Sequence, residues 1–559
     1  MKKRIGVTRR KINIGQALAI TALGLVISGI VINSMHLFKT SVYEPHLENF
    51  DDADIALMQV KFLDFLNGEW HKDEKTSFGV LHTFFKNWGH NDHKKVTDRL
   101  FFGGSLINDL SFDPLQIWPC LHGFAKEISD MEFDLTNFEQ MALFARSHYI
   151  THKILHDAPE SLVLQLYKVS PEKTVQQFKM ELNSITFKLQ NTLYPWISET
   201  FPLIRDMQNS MVKDSIGIAM TCGNGHFYLA QHLILSVRRF FNITLPIEVF
   251  YAGTNDLSPG KIAALSAMPN VTPLNLRNFF PAETHYGSRW SFKPYAILAS
   301  RFQHVLFMDP DVAFLKSPLS ILSSSLYQRN GLVFFRDRKV RTQERVEAVR
   351  LLKKMNPILS NYSRRNSYVY SDEEDHDGWS NEEMESGFIP VDKGNTGVLF
   401  SLLLAAKMNG LKEREAVFYK AAYGDKESFW FATESLRVPY EFVNAYSGAI
   451  GIAEIDGENA SKICEGKHLH VDESLQPFWF HDGNVLFDYW QDRPPNFKFS
   501  ELTHIAMHAN ASLDDLPWID GIRCLRRPNS QVFPLTQEQA RLILAYKELF
   551  TMKIIPVDE

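Results

Sequence analysis

Cysteine is scarce, with four residues in a chain of 559. That is too few for a disulfide-built scaffold. No CxxC pair or Cys/His cluster points to zinc. Positive charge is in deficit: 59 Lys and Arg stand against 65 Asp and Glu, a net charge of −6. A chain whose main partner is nucleic-acid backbone would be basic, so no nucleic-acid partner is expected. Hydrophobic residues at 45% and charged residues at 22% exclude disorder, collagen and coiled coil as the main architecture.

The most local absence is of charge. Lys2, Lys3, Arg4, Arg9, Arg10 and Lys11 precede any acid, and no further charge comes before Lys39. The stretch between is apolar from Ile14 to Ile32, long enough to cross a bilayer as a helix. It lacks a convincing signal-peptide cleavage site. The reading is a cytosolic tail over 1–11 and a transmembrane signal anchor over 12–38, giving a single-pass type II membrane protein whose remainder is luminal. Five Asn-x-Ser/Thr sequons agree with that side: Asn242, Asn270, Asn361, Asn459 and Asn510. Cys120, Cys222, Cys464 and Cys524 allow three full pairings, which spacing does not resolve.

Residues 39–212 carry repeated aromatic and aliphatic positions and read as a helical stem or subdomain. Ser170-Pro171 opens a helix in which Val175, Phe178, Leu182, Ile185, Leu189 and Leu193 recur at helical spacing. From Ser215 strands alternate with helices. Strands are expected at Ile216–Thr221, Pro246–Tyr251, Val271–Leu276 and His304–Met308, with helices at Leu229–Phe240, Ile262–Met268 and Phe292–Phe302. Such alternation predicts a parallel, doubly wound α/β sheet with ligands beyond the carboxyl ends of its strands. The catalytic domain is placed at 213–500 and a C-terminal extension at 501–559, with a helix over Gln537–Phe550.

The fourth strand ends in Asp309-Pro310-Asp311. Two carboxylates held in a strand-end turn suit a hard divalent cation, which in turn neutralises a diphosphate. Asp52-Ala53-Asp54 and Asp375-His376-Asp377 share the spacing but lack the strand before them.

Further blocks run from Trp290-Ser-Phe-Lys-Pro-Tyr-Ala-Ile-Leu-Ala-Ser-Arg-Phe302 through the acidic turn. They continue with Tyr327-Gln328-Arg329, Phe334-Phe-Arg-Asp-Arg338, Glu385-Ser386-Gly387, Gly424-Asp-Lys-Glu-Ser-Phe-Trp430 and His468-Leu-His-Val-Asp472 with Trp479-Phe480. Over residues 213–485 this order resembles the fungal α-mannosyltransferases of glycosyltransferase family 71, above all the Golgi α-1,3-mannosyltransferases of yeasts. The resemblance implies a GT-A-like, Rossmann-type nucleotide-sugar transferase domain with GDP-mannose as donor and Mn²⁺ or a similar cation. It also implies mannosylated glycoprotein acceptors, a Golgi membrane setting and a possible Golgi glycosyltransferase complex. The expected reaction is mannose transfer in α-1,3 linkage with retention. Alternatives are α-1,2 linkage, another sugar nucleotide, or a non-catalytic sugar-binding subunit.

Site residues follow from motif and resemblance together. Thr221, Gly223 and Asn224, at the end of the first strand, are expected at the nucleotide. Lys293 and Arg301 are candidate cations for donor phosphate. Asp309 and Asp311 are candidate metal ligands, with His470 as a third and His481 as the second choice. Glu385, Asp425 and Glu427 are the candidate sugar-side or catalytic acids. The polar segment between Arg338 and Glu385 reads as a solvated loop, with an acceptor-side lid as the other reading.

Overall fold

The computed structural model describes residues 125–126, 129–156, 175–197, 204–281, 290–338, 346–355, 382–456, 459–464, 466–481, 502–508, 518–519, 524–526 and 531–551. Helices α1 (Phe138–His156), α2 (Val175–Leu193) and α3 (Ile204–Ser210) come first. The apolar positions read at helical spacing fall on one face of α2: Leu182, Ile185, Leu189 and Leu193 are buried. The sheet unit then runs β1 (Val212–Thr221), α4 (Phe227–Phe241), β2 (Ile247–Tyr251), α5 (Pro259–Ser266) and β3 (Val271–Asn275). It continues with α6 (Lys293–Ala299), β4 (Phe302–Met308) and β5 (Val312–Phe314). All four expected strands form, each within a few residues of its expected bounds. Ser258 is the N-cap of α5 but makes no side-chain cap bond.

After β6 (Phe335–Arg336), β7 (Met384–Glu385), β8 (Phe388–Asp392), α7 (Thr396–Met408) and α8 (Lys426–Ser435) the chain becomes mainly β. The later strands are β9 (Tyr446–Gly451), β10 (Ala453–Asp456), β11 (Asn459–Cys464), β12 (Lys467–Val471) and β13 (Pro477–His481). Last come β14 (His504–His508), β15 (Trp518–Ile519), β16 (Cys524–Arg526), β17 (Gln531–Pro534) and α9 (Gln537–Thr551).

The first sheet has the order β3-β2-β1-β4-β8. β3, β2, β1 and β4 are parallel, and β8 joins antiparallel to β4. That is the doubly wound sheet expected from the alternation, closed by one reversed strand. Its core is aliphatic: Ile218, Met220, Val249, Leu306 and Met308 pack with Leu233, Ile234 and Val237 of α4. A second, six-stranded sheet runs β17-β14-β9-β12-β13-β5. β5 follows the acidic turn directly and pairs with β13, Val312 facing His481. The turn is therefore gripped between the two sheets. β14 pairs with β9, so residues beyond 500 add strands to the sheet that carries His470 and His481.

Among the described residues no helix is long and apolar enough to cross a membrane. The longest early helices carry charge along their length, Arg146 and Lys153 in α1, Lys179, Glu181 and Lys188 in α2. The span expected at 12–38 lies outside the described residues. The transmembrane helix in the expected fold class, the signal anchor, and the single-pass type II Golgi-membrane topology are therefore corrected: the described fold is an α/β core without a spanning helix.

Cys464 and Cys524 form a disulfide across the β11–β16 pair, while Cys222 is a buried thiol and Cys120 lies outside the described residues. Asn242 and Asn270 are exposed, left-handed turn residues, and Asn459 opens β11. Asn361 and Asn510 lie outside the described residues, as do Asp52–Asp54 and Asp375–Asp377.

Candidate functional site

The carboxyl ends of β1, β2 and β4 open into one cleft, lined by Thr221, Gly223, Asp256, Trp290, Lys293 and Asp311 among others. Asp309 is fixed by its own backbone, its N–H donating to the carbonyl of Gly387 at 2.8 Å. The β4–β8 pairing sets this contact, because Met308 lies opposite Phe388. Glu385-Ser386-Gly387 is thereby laid beside the acidic turn.

Lys293, in the first turn of α6, is the central cation. Its Nζ lies 2.7 Å from Asp309 Oδ2, donates to Ser386 Oγ at 2.9 Å and sits 3.6 Å from Asp425 Oδ2. Burial alone would lower its pKa, but the carboxylates of Asp309 and Asp425 override that and keep it charged. Burial raises Asp309 to about 7, the negative charge of Asp311 adding to the effect and Lys293 opposing it. Asp425 is also raised by burial, against Lys293.

A second charged group lies behind the turn. Glu385 Oε2 is 3.3 Å from His481 Nε2 and 3.7 Å from Lys426 Nζ. Glu385 Oε1 accepts the N–H groups of Ser386 and Gly387 at 2.8 and 3.1 Å. Burial works against the charge of Glu385, yet His481 and Lys426 hold its carboxyl well below the usual range. Burial would neutralise His481, but Glu385, with help from Asp311, lifts it to about 9. His470 stacks on Trp479 with ring centroids 3.9 Å apart, and burial drives it down to about 3. Lys426 bonds Asp337 at 2.6 Å and Glu382 at 3.0 Å.

Two three-residue groups have ligand atoms within 4.8 Å of one another: Glu385, His470 and His481, and Asp337, Glu385 and His468. His470 Nε2 is buried without a hydrogen-bond partner, as a neutral imidazole nitrogen awaiting a ligand would be. The carboxylate and imidazole donor set suits a divalent cation. Among the described residues neither group includes Asp309 or Asp311. Of the two candidate histidines, His481 is the one whose charge responds to Asp311.

The cleft thus brings together Thr221, Gly223, Lys293, Asp309 and Asp311, with Asp425 and Glu385 adjoining. At Gly223 a Cβ would lie 2.5 Å from Asp256 Oδ1, so a larger residue there would displace that carboxylate. Asn224 flanks the cleft and serves the loop, its Oδ1 accepting from the Ser258 N–H at 3.0 Å. Three expectations change. Arg301 lies at the opposite end of β4, exposed and paired with Glu248 at 3.0 Å, so it is no cation for the cleft. Glu427 is buried and points away: Oε1 accepts the Glu383 and Met384 N–H groups at 2.9 and 3.0 Å, and Oε2 the Trp430 indole. Those bonds tie its carboxylate to β7 and α8. Lys293, expected to meet donor phosphate, is committed first to its two aspartates.

Residues not singled out from sequence are His226, Phe250 and Asp256 on the cleft wall, and the inward turn of Asp337, Lys426 and His468. The last three sit inside motif blocks, but nothing in a linear motif says they converge on Glu385.

Residues 215–472 match the family model Mannosyl_trans3, described as "Mannosyltransferase putative". The chain is similar to the α-1,3-mannosyltransferase MNN1 of Saccharomyces cerevisiae, 24% identical over 318 residues, 48% of this chain and 41% of that one. It is also similar to the α-1,2-mannosyltransferase MNN2 of the same yeast, 25% identical over 291 residues, 46% of this chain and 48% of that one. These matches span less than half the length of either relative. Among solved structures, the galactosyltransferase LgtC aligns over 41% of this chain and 73% of its own, at 14% identity and a TM-score of 0.25. The fold assignment rests instead on the strand order. The matched segment covers both the sheet whose strand ends open into the cleft and the β12 histidines behind it.

Proposed function

We propose that the chain transfers mannose from GDP-mannose to the mannose chains of glycoproteins, with a divalent cation such as Mn²⁺. The observation that carries the reading is the Asp309-Pro310-Asp311 turn facing the β1-end loop across one cleft, with Lys293 backing the first aspartate. Asp309 and Asp311, joined by His481 or His470, would hold the cation. When bound, it would supply positive charge to the departing diphosphate. Thr221 and Gly223 then border the nucleotide, and Asp256 closes that wall. Lys293 aligns Asp309 and keeps Asp425 at a fixed distance. Asp425, raised by burial, and Glu385, held ionised, are the carboxyl groups nearest the sugar end. Such groups orient hydroxyls or stabilise positive charge at the anomeric carbon.

The α-1,3 linkage and net retention complete the proposal. The α-1,2 linkage is the second reading, favoured by the equal similarity to MNN2. The test is transfer by the purified chain from GDP-mannose, with and without Mn²⁺, to a panel of manno-oligosaccharides, with linkage read from the products. Turnover of no sugar nucleotide under any condition would sink the proposal.

A further inference from the structure

Two large aromatic side chains stand exposed at the rim of the cleft. Trp290 is 48% exposed and lines it, and Tyr423 is 51% exposed. Their ring centroids are 5.5 Å apart and their planes are inclined by 47°. Scattered exposed apolar residues are ordinary, but an adjacent aromatic pair beside a polar cleft is not.

The backbone is arranged to bring the two together. Gly424 adopts φ +71, and a Cβ there would lie 3.3 Å from the Trp290 indole. A left-handed glycine therefore lets the 423–425 turn lie against the indole ring. Trp290 precedes Lys293 by one 3₁₀ turn, and Tyr423 precedes Asp425 by two residues. Lys293 and Asp425 are themselves 3.6 Å apart. The aromatic pair is thus tied to the Lys293–Asp425 end of the cleft. Thr221 and Asp256 line the same cleft and border the part assigned to the nucleotide.

We infer that Trp290 and Tyr423 form a stacking platform for a pyranose ring of the acceptor glycan. One face of a hexose presents C–H groups with partial positive charge, and the face of an aromatic ring is negative. Its hydroxyls remain free to meet the carboxylates beyond. A pair of inclined rings fits a ring and its neighbour along an oligosaccharide better than a single flat base. The assignment deepens the transferase reading and rests on it for the identity of the acceptor.

The test uses the full chain and three variants: Trp290→Ala, Tyr423→Ala and Trp290→Tyr. Donor affinity is measured by direct binding of GDP-mannose with Mn²⁺, and the acceptor KM with a manno-oligosaccharide. Either alanine variant should raise the acceptor KM about tenfold, the scale of one lost ring contact. The donor dissociation constant should stay within about twofold, and Trp290→Tyr should recover most of the acceptor KM. Weakened donor binding with an unchanged acceptor KM would make the pair a nucleobase platform and overturn the inference. No change in either constant would overturn it as well. Direct titration of the oligosaccharide, followed by tryptophan fluorescence, separates the two levels. Binding by wild type that the alanine variants lose, with no turnover of any sugar nucleotide, would sustain the platform and defeat the transferase reading.

Discussion

Replacing Lys293 by Met removes the cation that lies between Asp309 and Asp425. At 2.7 and 3.6 Å, and an effective dielectric of ~20, the two attractions are about 6 and about 5 kcal/mol before desolvation is subtracted. The loss has a ceiling, because a stranded carboxylate can take up a proton. For Asp309 that ceiling is low, because burial already holds its carboxyl at about 7 with Lys293 in place, so a proton costs little there at neutral pH. Breaking a buried pair from one side has a measured scale of about 3–5 kcal/mol, so we expect a loss at its low end, about 3 kcal/mol. Both aspartates, already raised by burial, would then be raised further, and a carboxyl raised in the folded state stabilises most at low pH. Lys293→Met should therefore regain stability between pH 7.5 and pH 5. Adding Asp425→Asn should recover at least about 1 kcal/mol, since the second change removes the charge the first one stranded. The assay is denaturant unfolding followed by tryptophan fluorescence at both pH values. A Lys293→Met chain within about 1 kcal/mol of wild type and indifferent to pH would refute the reasoning.

Further outcomes are expected from single changes. Asp311→Asn should abolish mannose transfer while leaving the unfolding midpoint close to wild type; full transfer by this variant in a chelator would remove Asp311 from the metal. His481 carries a raised pKa of about 9, so its contribution, about 3 kcal/mol at most, is complete below pH 6.5 and lost as pH rises through 9; His481→Gln should flatten the stability profile between pH 7 and pH 10. Glu427→Gln should cost about 1–3 kcal/mol by turning an amide toward backbone donors, whereas Arg301→Gln should leave donor affinity unchanged, each read by the unfolding and binding assays above. Reduction of Cys464–Cys524, which are 60 residues apart, should cost about 4 kcal/mol by loop entropy, seen as a lower unfolding midpoint with a thiol reductant.

The parallel sheet was legible because its strands are short apolar runs broken by Gly, Pro and Asn. His304–Met308 could hardly be anything else, flanked by a helix and an acidic turn. The contents of the cleft were partly legible for the same reason: strand ends name their own loops. Charge pairing was not. Arg301 and Lys293 belong to one motif block and differ only in which end of β4 they reach, a fact set by the helix between them. Glu427 and Asp425 stand two residues apart, yet one faces Lys293 and the other faces backbone N–H groups of residues 383 and 384. The six-stranded sheet was hidden too, because β5, β9, β12, β13, β14 and β17 are far apart in sequence and β5 has three residues.

Tyr546, on α9, has a bearing on how the acidic turn comes into being. Its hydroxyl accepts from the Phe314 N–H at 3.0 Å and donates to the Phe314 carbonyl at 2.9 Å, across 232 residues. Phe314 ends the strand that starts one residue after Asp311. A ribosome that has released the acidic turn must still add more than two hundred residues before this clasp can close. Contacts of such sequence separation form late, because the loop entropy comes first. The nascent chain therefore carries its acidic turn without this clasp until α9 has emerged, and the strand that follows the turn is fastened only after that.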